Sequence, residues 1–288
     1  MTLWTLLAEQ PAYFYTLASV LGLLAGSFLN VLVYRLPIML ERQWQREAQQ
    51  VLGLPTTQHP RFDLCLPASR CPQCAHPIRP WQNIPVLSYM ALRGRCSACK
   101  ARISPRYPLV EVASALLSLL VAWRFGASAE ALLALPLTWC LLALSLIDAD
   151  HQLLPDVLVL PMLWLGLIVN AFAVYVPLGS AVWGAVAGYL CLWSVYWLFK
   201  LVTGKEGMGY GDFKLMALIG AWGGWQVLPL TLLLSSVVGA LVGLSLLHLH
   251  RHALGTAMPF GPYLAIAGWI AVLWGDEIYA SYLQLLGY

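Results

Sequence analysis

Apolar residues in this chain come in long unbroken runs, without the alternation of a strand or the narrow stripe of a surface helix. Eight runs approach the roughly 20 residues that a helix needs to cross a hydrocarbon layer about 30 Å thick. They lie at about 13–35, 108–124, 130–148, 156–176, 180–200, 212–223, 226–248 and 260–284. The pattern predicts an all-α polytopic membrane protein of about eight transmembrane helices. The sixth run is short, ending at Gly223-Gly224, so it is expected to be buried among its neighbours or to continue into the interface. No basic residue precedes the first run and no small-residue cleavage site follows it, so it reads as a retained anchor.

Composition strengthens this picture. With 60% hydrophobic residues, 10% charged residues and 13 Trp in 288 positions, the chain falls outside the range of soluble globular domains. Charge then orients it. With eight spans, all but Arg124 of the 16 Lys and Arg fall on one side, which the positive-inside rule assigns to the cytoplasm. Dropping the sixth span would expel Arg251 and three histidines, so the charge bias supports eight. The expected location is the cytoplasmic membrane, in contact with lipid, and no nucleic-acid partner is expected.

The polar interval at about 36–107 has room for a small domain but not for a sizeable core, and it needs a staple. Cys71-Pro-Gln-Cys74 and Cys96-Ser-Ala-Cys99, with 21 residues between the pairs, supply four thiolates for one ion. Zn²⁺ in tetrahedral geometry suits them, with iron as the chemical rival. Cys65, Cys140 and Cys191 fit no such pair and read as packing residues. His59 and His76 are assigned nothing, and His248, His250 and His252 read as an interfacial cluster.

Two acids stand where lipid makes a carboxylate costly: Asp148, closing one apolar run in SLIDADHQLLPD, and Asp212, opening another in GMGYGDFKLMALIG. Gly207, Gly209 and Gly211 precede Asp212 at alternate positions, where backbone can approach a substrate or another helix closely. A helix cap would explain Asp212 but not the glycines. Asp156, after Pro155, reads as a first-turn acid favoured by the helix dipole, and Asp150 as a solvated or ion-paired residue. Glu111, inside PLVEVASALLSLL, fits an Arg partner, a polar helix contact and a functional acid equally well.

GSFLNVLVYRLP from Gly26, the two CxxC pairs, ISPRYPLVE from Ile103, SLIDADHQLLPD, GYGDFK and MPFGPYLA together resemble the bacterial type IV prepilin peptidases, which are GxGD-type intramembrane aspartic proteases. The resemblance covers nearly the whole chain. It implies a catalytic pair at Asp148 and Asp212 and zinc at Cys71, Cys74, Cys96 and Cys99. It also implies an anchor helix at 1–35, a cytoplasmic zinc-binding segment at 36–107 and a seven-helix peptidase region at 108–288. Prepilin and pseudopilin precursors are the implied substrates, cleaved at the cytoplasmic end of their hydrophobic helix. The zinc segment resembles that of bifunctional members, which also N-methylate the new N-terminus with S-adenosylmethionine.

The residues support that chemistry independently. Two carboxylates sharing one proton can activate water and protonate a leaving nitrogen. A proton-coupled transporter would show an inverted repeat and acids near the midplane, neither of which is evident. A membrane scaffold would leave the glycines before Asp212 unexplained.

Overall fold

The computed structural model describes residues 7, 9–55, 60–248 and 258–285, and every extended element among them is helical. The helices are α1 (Pro11–Val51), α2 (Leu87–Ala91), α3 (Arg106–Phe125), α4 (Ala129–His151), α5 (Asp156–Ala171), α6 (Leu178–Thr203), α7 (Tyr210–Gly223), α8 (Val227–His248) and α9 (Gly261–Leu285), with a 3₁₀ turn at Pro80–Asn83. Each of the eight apolar runs became one helix. Five helices, α1, α3, α4, α6 and α8, are long and apolar enough to cross a membrane, and α5 is a shorter apolar helix. Leu249, His250, Arg251 and His252, as well as His59, lie outside the described residues.

The largest difference from the sequence reading is at the end of α1. The apolar run stops near Arg35, but the helix continues to Val51. Residues 41–50, ERQWQREAQQ, are mostly strong helix formers, and Pro37 removes only one backbone donor. The helix ends where Gly53 turns the chain at φ 65°, and the N–H groups of Leu52, Gly53 and Leu54 close back on carbonyls of the last turn.

The chain forms two compact units, residues 1–131 and 132–288. In the first, α1 packs on α3 along a seam of small residues. A Cβ on Gly26 would stand 2.6 Å from the Glu111 Cα, so only glycine permits the backbones to approach this closely. Asn30 Nδ2 donates to the Tyr107 carbonyl at 3.1 Å across the same seam. Buried Arg35 donates to the carbonyls of Asp63 and Pro67 at 2.8 and 2.7 Å, tying the loop to the helix. Asp63 fixes that loop further. Bonds from the Leu66 N–H, the Arg61 side chain and the Cys65 N–H hold its carboxyl down to about 2.

The second unit is built around α7. At 1.5 Å per residue its 14 residues span about 21 Å, short of a hydrocarbon layer. It is covered by α5, α6 and α9, and Asp212, Phe213 and every residue from Leu215 to Gly223 are buried. This is the buried short helix that the sixth run implied. Asn170, fully buried, donates to the carbonyls of Ala221 and Trp222 and accepts from the N–H groups of Tyr175 and Val176. One amide thus satisfies the C-terminal end of α7 and the turn after α5. Trp269 Nε1 donates to Thr138 Oγ1 at 2.8 Å, binding α9 to α4.

Candidate active site and metal centre

Asp148 lies in the last turn of α4 and is buried, with 5% of its surface exposed. Its Oδ2 accepts the Gly261 N–H at 2.9 Å, at the first residue of α9. The carboxylate therefore sits where backbone donors and the helix dipole both favour negative charge. A Cβ at position 261 would stand 2.6 Å from that oxygen, so the glycine of MPFGPYLA is required by the contact with Asp148. In the sequence that motif helped carry the family resemblance but was given no chemical role. Its one legible signal was Pro262, which marks a helix start.

Asp212 occupies the third position of α7 and is 7% exposed. Its backbone N–H donates to the Gly209 carbonyl at 3.2 Å, closing the first turn of the helix. The charge of Asp148 acts on Asp212, so the two carboxyl groups lie within electrostatic reach of each other. Asp150, two residues beyond Asp148, is exposed.

The glycines before Asp212 have separate reasons. A Cβ on Gly211 would meet Leu154 Cβ at 2.8 Å, and one on Gly207 would meet the Phe199 ring at 2.9 Å. Gly209 is uncrowded and has an ordinary φ of −84°. The loop is anchored by Glu206, whose carboxyl is held below the usual range by its hydrogen bond from Lys200 at 2.8 Å. Tyr210, Phe213 and Tyr196 form a ring cluster behind it.

Asp156, the first residue of α5, is the acid in that helix's first turn, and it accepts both bonds of Lys214 at 2.8 and 2.7 Å. The ammonium two residues after Asp212 is thereby paired outside the aspartate site. Sequence reading missed this pair, because the partners are 58 positions apart.

In the first unit, the sulfurs of Cys71, Cys74, Cys96 and Cys99 all lie within 4.8 Å of one another, and among the described residues they form the one group suited to a metal ion. The two knuckles are the same turn used twice. In each, the first cysteine's carbonyl accepts the N–H of the residue after the second, Ala75 or Lys100, and that residue has positive φ, 56° or 61°. Antiparallel bridges, Arg70 with Pro77 and Arg95 with Arg102, close the two turns. The Cys71–Cys99 and Cys74–Cys96 sulfur separations are 3.8 and 4.0 Å. A tetrahedron with metal–sulfur bonds of about 2.3 Å has edges of about 3.8 Å, so the donor set fits one ion.

Charge points the same way. The N–H groups of Cys99 and Ala98 hold the Cys96 thiol down to about 6, and those of Cys74 and Gln73 lower Cys71. Cys74 is pushed up to about 11: the His76 N–H favours its thiolate, but burial and the neighbouring thiols outweigh it. Four sulfurs this close can all be thiolates only around a cation. Cys65 is exposed and outside the cluster, and Cys140 and Cys191 sit in α4 and α6. His76 contributes its carbonyl, accepting the Cys71 N–H, and does not join the sulfurs.

Glu111 Oε2 accepts the Val86 N–H at 2.8 Å, and the Ser27 hydroxyl is its other hydrogen-bond partner. It is 8% exposed.

Residues 20–125 match the family described as Bacterial Peptidase A24 N-terminal domain, and residues 135–244 match the Type IV leader peptidase family. The chain is 79% identical to a protein of Pseudomonas putida over 288 residues, the whole of both chains. It is 63% identical to one of Pseudomonas aeruginosa over 289 aligned positions, again the whole of both. A relative from Dichelobacter nodosus is 50% identical over 272 positions, 93% of this chain and 92% of that one. All three carry the name prepilin leader peptidase/N-methyltransferase. No solved structure matches.

Proposed function

We propose that this chain, which belongs to the type IV leader peptidase family, removes the basic leader of type IV prepilins and methylates the N-terminus so exposed. The observation that carries the peptidase reading is the burial of two acids, Asp148 and Asp212, within electrostatic reach of each other. In that reading they are the catalytic pair and share one proton. The ionised member takes a proton from water as its oxygen attacks the scissile carbonyl carbon. The protonated member donates to the carbonyl oxygen. On collapse a proton passes to the leaving nitrogen, the C–N bond breaks, and the pair returns to its starting state. The Gly261 N–H holds Asp148 in place throughout, and the Asp156–Lys214 pair keeps the Lys214 ammonium occupied.

The ion proposed for the four cysteines is zinc, held by Cys71, Cys74, Cys96 and Cys99 as a structural staple with no open position for chemistry. The charge bias of the loops supports a cytoplasmic catalytic face in the bacterial inner membrane, with eight spans. It also supports the division into an anchor at 1–35, a cytoplasmic zinc-binding segment at 36–107 and a peptidase region at 108–288. Type II secretion pseudopilins, which share the leader-plus-apolar-helix design, are included as substrates. S-adenosylmethionine is the methyl donor proposed.

The test is cleavage of a purified prepilin followed by mass spectrometry. Asp148→Asn and Asp212→Asn should each lower leader removal by at least about 10³-fold while the protein keeps its helical spectrum. Cleavage by either variant at the wild-type rate would end the two-aspartate reading.

A further inference from the structure

Two sequence motifs, GSFLNVLVYRLP and ISPRYPLVE, have no part in the aspartate site. In the first unit they face each other across one pocket of about 590 Å³, within the size range of small-molecule sites. The α1 motif contributes Ser27, Asn30 and Tyr34, and the α3 motif contributes Tyr107 and Glu111. The loop carrying the cysteine knuckles closes the remainder.

Glu111 is the acid of this pocket, and the chain strains its backbone to serve it. Val86, whose N–H bonds the Glu111 carboxylate, sits at φ 60°, ψ −49°, a region that a β-branched residue strongly avoids. A Leu87 N–H to Pro85 carbonyl bond of 2.5 Å marks a tight γ-turn there. Strained backbone of this kind persists where the surroundings over-determine it, and it gathers at ligand sites. Gly26 is the complementary device on α1, since its missing Cβ lets Glu111 come up against that helix.

Resting on the methyl-transfer part of the proposed function, we propose that this pocket is the methyl-transfer site, that it takes a sulfonium methyl donor of the S-adenosylmethionine type, and that Glu111 receives the proton of the incoming amine. The donor supplies an electrophilic methyl carbon beside a positive sulfur. The chemistry needs one carboxylate and no general acid, which is what this pocket offers and an aspartate pair does not. The amine nitrogen must be uncharged to attack. Glu111 accepts its proton, the N–C bond forms as the C–S bond breaks, and the electron pair stays on sulfur as a neutral thioether. The exposed Tyr34 ring offers a face for the adenine, and Asn30 and Ser27 offer polar contacts.

The experiment uses the full chain in detergent, with S-adenosylhomocysteine titrated by calorimetry and a cleaved pilin assayed for methyl gain by mass spectrometry. Glu111→Gln should remove the leader at the wild-type rate and bind S-adenosylhomocysteine. Its methylation should be about 100-fold slower or worse, with a residual rate that rises with pH through about 8 as free amine appears. Tyr34→Ala, a change at an exposed side chain, should weaken S-adenosylhomocysteine at least about tenfold and leave cleavage unchanged. If both variants bind and methylate as wild type does, the pocket assignment is overturned while methyl transfer stands. If wild type neither binds S-adenosylhomocysteine nor adds a methyl, the methyl-transfer reading itself is overturned, and the pocket assignment with it.

Discussion

The cysteine cluster and the aspartate site are both built from pairs of motifs, but they are held in different ways. Each knuckle is a closed local turn: the residues from Arg70 to Pro77, or from Arg95 to Arg102, carry the cysteines, the positive-φ residue and the closing bridge. The aspartate site is assembled from the end of α4 and the starts of α7 and α9, residues separated by up to 113 positions. A site made of turns can form wherever its two halves meet. A site made of helix ends exists only when the helices pack in register, and here that register rests on Asn170 under α7 and on the Trp269–Thr138 bond between α9 and α4.

The comparison can be broken most sharply at the cluster. Cys71→Ser or Cys96→Ser should take the bound metal, measured by plasma emission, from about one equivalent to near none, because three thiolates remain for an ion that binds four. Unchanged stoichiometry in both variants would mean that the cluster is not a metal centre.

A smaller effect is expected at the helix-built site. Gly261→Ala places a Cβ against Asp148 Oδ2, and displacing that carboxylate by about 1 Å should slow leader removal on the order of 10²-fold with the helical spectrum and metal content retained. A wild-type rate would show that the α4–α9 register does not set the geometry of the site. The smallest effect belongs to Asp156→Asn. The Asp156–Lys214 pair is partly exposed, with 54% and 31% of the two side chains accessible, so its loss should change the cleavage rate by less than about fivefold. A larger fall would show that the unpaired Lys214 ammonium reaches the aspartates.

How much of this was legible follows from the same difference. The knuckles were readable because their spacing is the structure: the turn dictates CxxC, and CxxC dictates the turn. The apolar runs were readable because lipid forces every backbone group into a helix, and each run became one helix. The extension of α1 to Val51 was missed, since hydropathy reports where lipid contact ends and helix propensity alone carries the chain onward. Asp148 and Asp212 were legible as anomalies, because an acid at the end of an apolar run is costly wherever it stands.

What the sequence determined by itself is therefore the all-helical membrane class, the four cysteines as one set suited to a metal ion, and the two acids as the charges out of place at the ends of apolar runs. Tertiary structure alone decided the rest. It placed Gly261 against Asp148, gave Lys214 to Asp156, buried α7 from Leu215 to Gly223 and turned two unassigned motifs into the walls of a pocket around Glu111. The reason is physical: contacts between helices depend on rotation and depth, which side-chain packing fixes over tens of residues at once, whereas helix formation and turn closure are settled within a few residues of the chain.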